Sequence, residues 1–373
     1  MNLRGWCRGM KSRQLIDICN PKQWKTISTS ELEISGYPVY GANGIIGFYS
    51  EYNHEDPTVL ITCRGATCGE IHICEPKSYV TGNAMALDDL SDEVDIRYLY
   101  YFLRGYDFKN IISGSAQPQI TRQGLQKLIV KYPNLETQKK IVEALDKAQA
   151  LIDARKEQIR LMDELVKSQF IEMFGDQKSN PMNWDEGTIR DIVSEVKYGT
   201  SKPAVDGGNY KYLRMNNITY EGELDLTSLK YIDMDDDEYE KYVVRKGDVL
   251  FNRTNSKELV GKTCVFDYKE EMIIAGYIIR VRVNEKAVPE YLSAFLNSKY
   301  GKEKLFSMCK AIVGQANINA QELQDIKVLI PPNTLQAEFA KIKEKVNIEK
   351  SKLENNLNEI ITIQQALMQQ YFG

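Results

Sequence analysis

Between Pro133 and Gly175 the core-type positions advance in alternating steps of four and three: Ile141, Leu145, Ala148, Ile152, Arg155, Ile159, Met162, Val166, Gln169 and Met173. One of the two interleaved seams, Leu145, Ile152, Ile159, Val166 and Met173, is wholly apolar, as in a helix that packs along its length in a coiled coil. The spacing returns near the C-terminus. Val346, Leu353, Ile360 and Leu367 stand at strict sevens, with Ile342, Glu349, Asn356 and Ile363 interleaved. An asparagine in such a seam either sets register or is solvated. The pattern predicts long helices over 134–175 and 333–373. Each would reach about 60 Å at 1.5 Å per residue, more than one small module needs, so the two are expected to pair with each other.

The rest of the chain reads as short alternating segments. DPTVLIT (56–62), GEIHICE (69–75), KGDVLFN (246–252) and MIIAGYIIRVRV (272–283) have the β-branched character of strands. RYLYYFLRG (97–105) and PEYLSAFLNS (289–298) read as short helices. Asn180-Pro181 marks a linker over 176–183, and Trp184 opens a second globular part. The expected domains are therefore 1–133, a helix over 134–175, the linker, 184–332, and a helix over 333–373.

These parts are two copies of one plan. Gln117, Ile120, Gln123, Leu125, Gln126, Val130, Pro133 and Gln138 reappear 198 positions later as Gln315, Ile318, Gln321, Leu323, Gln324, Val328, Pro331 and Gln336. Phe174-Gly175 and Phe372-Gly373 keep that offset. Upstream it drifts: 193 at Tyr98/Tyr291, 190 at Val59/Val249 and 174 at Leu15/Ile189. The second copy's extra residues all lie in its globular part, and the C-terminal segment of each copy is locked in length. Two repeats are too few for a solenoid. A pseudo-symmetric pair is the expectation.

Composition narrows the function. No run of eighteen apolar residues suggests a membrane span. Seven cysteines without a small-scaffold spacing fit a reduced, cytoplasmic protein. Only two histidines exist, His54 and His72, which leaves little for histidine-based catalysis. Gly41, Gly44 and Gly47 match neither a dinucleotide nor a Walker loop and read as hairpin glycines. Cys63, Cys68, His72 and Cys74 lie close in sequence but contain no CxxC, and strand packing outweighs zinc. DMDDDEYE (233–240) reads as a solvated acidic turn without the mid-loop glycine of a calcium hand. No nucleophile elbow, Walker A or methyl-transfer motif is present, so no catalytic or metal site is expected.

What remains is recognition chemistry. Loops TCRGAT (62–67), GSAQPQITR (114–122), LRMNN (213–217), FNRTNSK (251–257) and GQANIN (314–319) are rich in groups that match base edges. Arginine fits guanine and asparagine or glutamine fits adenine, although the same residues also cap helices and satisfy turns. The candidate DNA-binding residues are Arg64, Thr67, Gln117, Gln119 and Arg122 in the first copy. In the second they are Arg214, Asn216, Asn252, Arg253, Asn255, Gln315 and Asn317. Charge argues for a local patch or a partner. Residues 1–133 hold 14 basic and 14 acidic groups, and residues 184–332 hold 21 and 24, whereas a protein gripping phosphates alone should be basic.

The duplicated phrases SGSAQPQITRQGLQKLIVKYPNLETQKKIVEAL and VGQANINAQELQDIKVLIPPNTLQAEFAKI, with VVRKGDVLFNRTN and WDEGTIRDIV, resemble the DNA-specificity subunits of type I restriction–modification systems. The resemblance implies an α+β chain: two α/β target-recognition domains in tandem, each followed by a long helix, the helices forming an antiparallel coiled coil. It implies a non-catalytic subunit that reads a bipartite double-stranded DNA target and docks two adenine methyltransferase subunits, with restriction/translocase subunits joining them. S-adenosylmethionine, ATP and Mg would be used by those partners and none by this chain. The pattern departs at Met10, which stands where the repeat has Trp184, and at Arg155 and Gln169, which face Leu353 and Leu367 in the repeat. The competing reading is a coiled-coil scaffold with no DNA role.

Overall fold

Both long helices form, over Leu135–Phe174 and Asn333–Phe372. The structure, a computed structural model, describes residues 9–42, 44–114, 117–309 and 316–373. The chain divides into two units, Met1–Arg155 with Asn355–Gly373, and Lys156–Glu354. Each unit holds one mixed α/β module and a stretch of both long helices.

In the first unit a four-stranded antiparallel sheet runs in the order Asn20–Gln23, Ala84–Asp88, Val59–Thr62, Ile71–Ile73. The hairpin Tyr37–Gly41/Gly44–Tyr49, with Tyr79–Val80 added in parallel, makes a three-stranded sheet. Its turn glycines are hairpin glycines, as the spacing suggested. Helix Ile96–Arg104 starts at Asp95, whose carboxylate accepts from the Arg97 and Tyr98 N–H groups. It buries Tyr98, Leu99, Tyr101, Phe102 and Leu103.

The second unit repeats the first sheet as Val193–Tyr198, Ile278–Val283, Val249–Asn252, Thr263–Val265. The segment 272–283 is not one strand. Met272–Ile274 joins a second sheet beside Tyr210–Leu213, and the chain turns through Ala275-Gly276-Tyr277 before Ile278–Val283 enters the first. Both pieces are β-branched and buried, so their pattern carried no sign of the break. The acidic run is also not a plain turn: Asp236–Tyr242 is helical after Asp235. Three carboxylates in its first turn suit the positive end of the helix dipole. A further helix, Lys299–Met308, follows Pro289–Asn297.

The duplication persists at the level of single hydrogen bonds. Leu15 N donates to Leu128 O at 2.8 Å and Ile189 N to Ile326 O at 2.9 Å. The Tyr98 hydroxyl donates to Lys131 O at 2.8 Å and the Tyr291 hydroxyl to Leu329 O at 2.7 Å. Most telling are two glutamines in the first turns of the long helices, both with no exposed surface. Gln138 Nε2 donates to Pro133 O and Glu93 O, both at 2.8 Å, while its Oε1 accepts from Asp95 N at 2.8 Å. Gln336 does the same with Pro331 O at 2.8 Å, Lys286 O at 3.0 Å and Val288 N at 2.9 Å. Each amide thus ties the start of a long helix to the loop that launches the module's short helix.

Within each unit the two long helices run antiparallel. In the second unit Phe170 and Phe174 pack against the Phe339 ring, with centroids 5.6 and 5.5 Å apart. Farther along, Lys350 Nζ lies 2.6 Å from both Asp163 Oδ1 and Glu223 Oε1. In the first unit Gln364 Nε2 donates to Gln149 Oε1 at 3.1 Å, and Phe372 stands edge-on to Tyr98 and Phe102. The strict sevens of the second helix hold, with Val346 buried and Leu353, Ile360 and Leu367 half-buried, but the row packed beside them is Lys350, Leu357 and Gln364, while Glu349 and Ile363 of the interleaved row are exposed. A companion row can follow an apolar row by three residues or by four, and here the packed one follows by four. Gly175, at φ 75°, stops the first helix, and a Cβ there would meet Pro181 Cγ at 2.8 Å.

The buried glutamines yield a stability prediction. Gln336→Leu keeps the volume but leaves Val288 N–H and two carbonyls unpaired, and should cost about 1–3 kcal/mol. Gln138→Leu should cost a similar amount. In urea titrations both should lower the midpoint and leave the slope unchanged.

Candidate nucleic-acid interface

In each module the strand that precedes the Arg-bearing loop runs out of the sheet and pairs with the segment after the Gln-centred turn. In the first module Ile120 N donates to Cys63 O at 3.0 Å and Arg64 bridges Gln119. In the second, Ile318 N donates to Arg253 O at 2.9 Å and Thr254 pairs with Asn317. The equivalence is between Cys63 and Arg253, and between Arg64 and Thr254. Arg64 and Arg253 are therefore neighbouring, not matching, positions of the repeat. Their sequence surroundings look alike only because both follow a strand.

The first module gathers four of its five candidates. Arg64, Gln117 and Gln119 are exposed around this pairing, and Gly65 N donates to Pro118 O at 3.2 Å. Thr67 is held beside them, its hydroxyl donating to Ala42 O at 3.3 Å in the hairpin turn. Arg122 opens the short helix Arg122–Leu125 and donates through Nη2 to Asn20 Oδ1 at 3.0 Å. The cysteines are packing groups. Cys63 Sγ accepts from Gln23 Nε2 at 3.0 Å, and Cys74 Sγ accepts from Thr58 N at 3.2 Å. Burial pushes both thiols above their usual range.

In the second module Asn255 and Asn317 lie on the paired strands Thr254–Asn255 and Ala316–Asn317. Arg253 is half-buried, with its guanidinium 4.7 Å from the centre of the Tyr198 ring. Asn252 has no exposed surface. In the orientation that satisfies its neighbours, its amide donates to Thr254 O and accepts from Asn255 Nδ2, so it shapes the loop without offering a surface to a ligand. Arg214 is half-buried against Ser228 O, and Asn216 is exposed beside the wholly buried Asn217, which fixes that turn through Asp225 O. Gln315 lies outside the described residues. Sequence reasoning missed Tyr198 and Tyr277, which are 41% and 53% exposed. Tyr277 O accepts from Arg253 N at 2.9 Å, bringing the 275–277 turn to the same loop. Exposed aromatics flanking an arginine would have been the signal, but they lie 55 and 24 positions away from it.

The continuation of this loop reaches a cavity of about 370 Å³ lined by Tyr220, Lys257, Glu258, Val260, Lys302, Glu303 and Phe306. Lys302 Nζ donates to Gly261 O at 3.1 Å and sits 5.4 Å from the Tyr220 ring centre, while Lys257 lies over Phe306. Burial, with the nearby Lys262 charge, pushes the Lys302 ammonium down to about 8. Two lysines and two glutamates on the lining balance, so the cavity is not a phosphate grip by charge.

Comparison with known proteins agrees with this architecture. The family model for the type I restriction modification DNA specificity domain matches twice, at residues 8–161 and 181–362. The type I restriction enzyme EcoKI specificity subunit of Escherichia coli K12 is 24% identical over 285 residues, 71% of this chain and 61% of its own length. The StySPI specificity subunit of Salmonella potsdam is 22% identical over 326 residues, 82% of this chain and 66% of its own. The aligned part thus spans less than two thirds of either relative. In fold, the chain is similar to the type I restriction–modification S subunit from M. genitalium, with a TM-score of 0.60 at 16% identity over 98% of this chain and 96% of that one.

The depressed Lys302 gives a pH signature. Its folded-state affinity for a proton is below the unfolded value near 10.5, so the folded state disfavours the charged form. Its cost to stability is fully present below about pH 8 and is relieved as pH rises from about 8 towards 10.5. Lys302→Met should remove that relief. The stability difference between variant and parent, followed by denaturant titration at several pH values, should favour the variant at pH 7 and shrink above pH 8.

Proposed function

The chain belongs to the type I restriction–modification DNA specificity family, carrying two copies of its domain, and on that premise we propose that it reads a bipartite DNA target for a methylation and restriction complex. Each module reads one half of a split double-stranded sequence. The paired long helices dock two methyltransferase subunits, which supply S-adenosylmethionine chemistry at adenine, and restriction/translocase subunits that use ATP and Mg join through them. The chain itself is a non-catalytic, cytoplasmic subunit.

One observation carries this reading. The two modules share the hydrogen bonds that anchor them, those of Leu15 and Ile189, Tyr98 and Tyr291, and Gln138 and Gln336, yet place different side chains on the same strand-end framework. The paired positions are Arg64 and Gln119 in the first module and Thr254 and Asn317 in the second. A common scaffold with unlike polar tips suits two readers of unlike sequences. It also suits two identical partners held by the shared parts. The near-neutral modules fit a subunit whose partners enclose the DNA and provide much of the phosphate contact.

The modular reading has a direct test. Replacing residues 184–332 with the matching module of a relative should change one half of the methylated sequence and leave the other half and the spacing intact. Methylated adenines would be mapped genome-wide in cells that also express the methyltransferase. A change in both halves would mean the modules do not read independently, and methylation without sequence preference would favour the scaffold reading. Co-purification should recover two methyltransferase chains per copy of this one.

A further inference from the structure

We infer that Arg253, held over the Tyr198 ring, reads a guanine in the half-site of the second module, and that the first module lacks this reader. The inference rests on the DNA-reading function proposed above and deepens it.

One framework position is filled in two ways. Gln23 and Tyr198 end equivalent edge strands, pairing with Met85 and Ile279. Cys63 and Arg253 follow equivalent inner strands, donating their N–H groups to Asn83 O and Tyr277 O. In both modules the first residue touches the second. In the first module the pair is closed on itself: Gln23 Nε2 donates to Cys63 Sγ at 3.0 Å and to Gly82 O at 2.9 Å, and Cys63 is wholly buried. The thiol is enclosed and both hydrogens of the Gln23 amide are used, so no donor fork stands at this position.

In the second module the same contact is open. The guanidinium lies over the Tyr198 ring, and Tyr198 is itself fixed, its hydroxyl accepting from Ala320 N at 2.8 Å. Among the described residues no carboxylate pairs with Arg253, and its Nε is buried without a partner. Many other arginines of this module are paired: Arg190 with Asp325, Arg245 with Glu240 and Glu271, Arg280 with Glu195, and Arg282 with Asp248. A guanidinium carries five donors and no acceptor. Held over an aromatic ring with its Nε buried, that of Arg253 has its terminal nitrogens left for a ligand. Guanine offers two acceptors, O6 and N7, on its major-groove edge, whereas adenine offers one acceptor and one donor. An all-donor fork therefore selects guanine.

The test uses the full chain co-expressed with its methyltransferase subunits, selecting bound duplexes from random DNA. The parent complex should recover a bipartite sequence with a fixed guanine in the half assigned to residues 184–332 by the module exchange. Arg253→Lys and Tyr198→Leu should each reduce discrimination at that guanine by roughly 5- to 150-fold, leaving the other half-site unchanged. Tyr198→Phe keeps the ring and should retain most of the discrimination. Thermal melts would confirm folding, and if Tyr198→Leu fails to fold, Arg253→Lys and Tyr198→Phe decide. A uniform loss of affinity on every sequence, with a shallower salt dependence, would make Arg253 a phosphate contact and overturn the inference while leaving the DNA-reading function standing. Unchanged discrimination in a folded Arg253→Lys or Tyr198→Leu would overturn it as well. If the parent complex selected no sequence at all, the proposed function itself would fall, and the inference with it.

Discussion

Two buried amides, Gln138 and Gln336, fix how each module meets its long helix. Each satisfies three backbone groups at once: a carbonyl of the proline that precedes the helix, and a carbonyl and an N–H from the loop that launches the short helix. A buried amide with three partners is stable only if all three are in place, because each orphaned group carries its full desolvation penalty. That demand fixes the spacing of Gln138 from Pro133 and of Gln336 from Pro331, both five residues. An inserted residue between Pro133 and Gln138, or between Pro331 and Gln336, would break the set.

The rest of each module inherits this anchor. The tyrosines Tyr98 and Tyr291 reach the carbonyls of Lys131 and Leu329 from the short helix, and aromatic rings from the ends of the long helices close over them. In the second unit the helix pair also takes a charged contact. Burial opposes a charge on Lys350, but hydrogen bonds to Asp163 and Glu223 carry its ammonium above the ordinary lysine range. Glu223 comes from a module loop, so one lysine links both helices to that loop.

Against this background of satisfied polar groups, the strand ends are where the two copies differ. Gln23 with Cys63 and Tyr198 with Arg253 occupy one framework position, one pair closed and one open. Arg64 with Gln119 and Thr254 with Asn317 occupy the next. Variation is tolerated there because the backbone pairing that holds the segment recurs in both copies whatever the side chains are. Those backbone hydrogen bonds are indifferent to what the side chain reads.

How much of this was legible varies by the range of the interaction. The long helices, the hairpin glycines, the short helices at 96–104 and 289–297 and the repeat offsets are local or internally referenced patterns, and the sequence by itself determined them. The offsets of 174, 190, 193 and 198 even identify which backbone hydrogen bonds recur. Four features were decided only by the tertiary structure. The segment 272–283 splits between two sheets because strand partners, not β-branching, choose the break. Asn252 is interior and Asn255 is not, although both read as loop amides. Lys350 and Gln364, four residues after Val346 and Ile360, line the packed face in place of Glu349 and Ile363, because the other helix lies on that side of the counted row. Arg253 becomes a poised donor because Tyr198 arrives from a strand 55 residues upstream. Which side of a strand end meets water, and what stacks on it, is set by neighbours that periodicity cannot see.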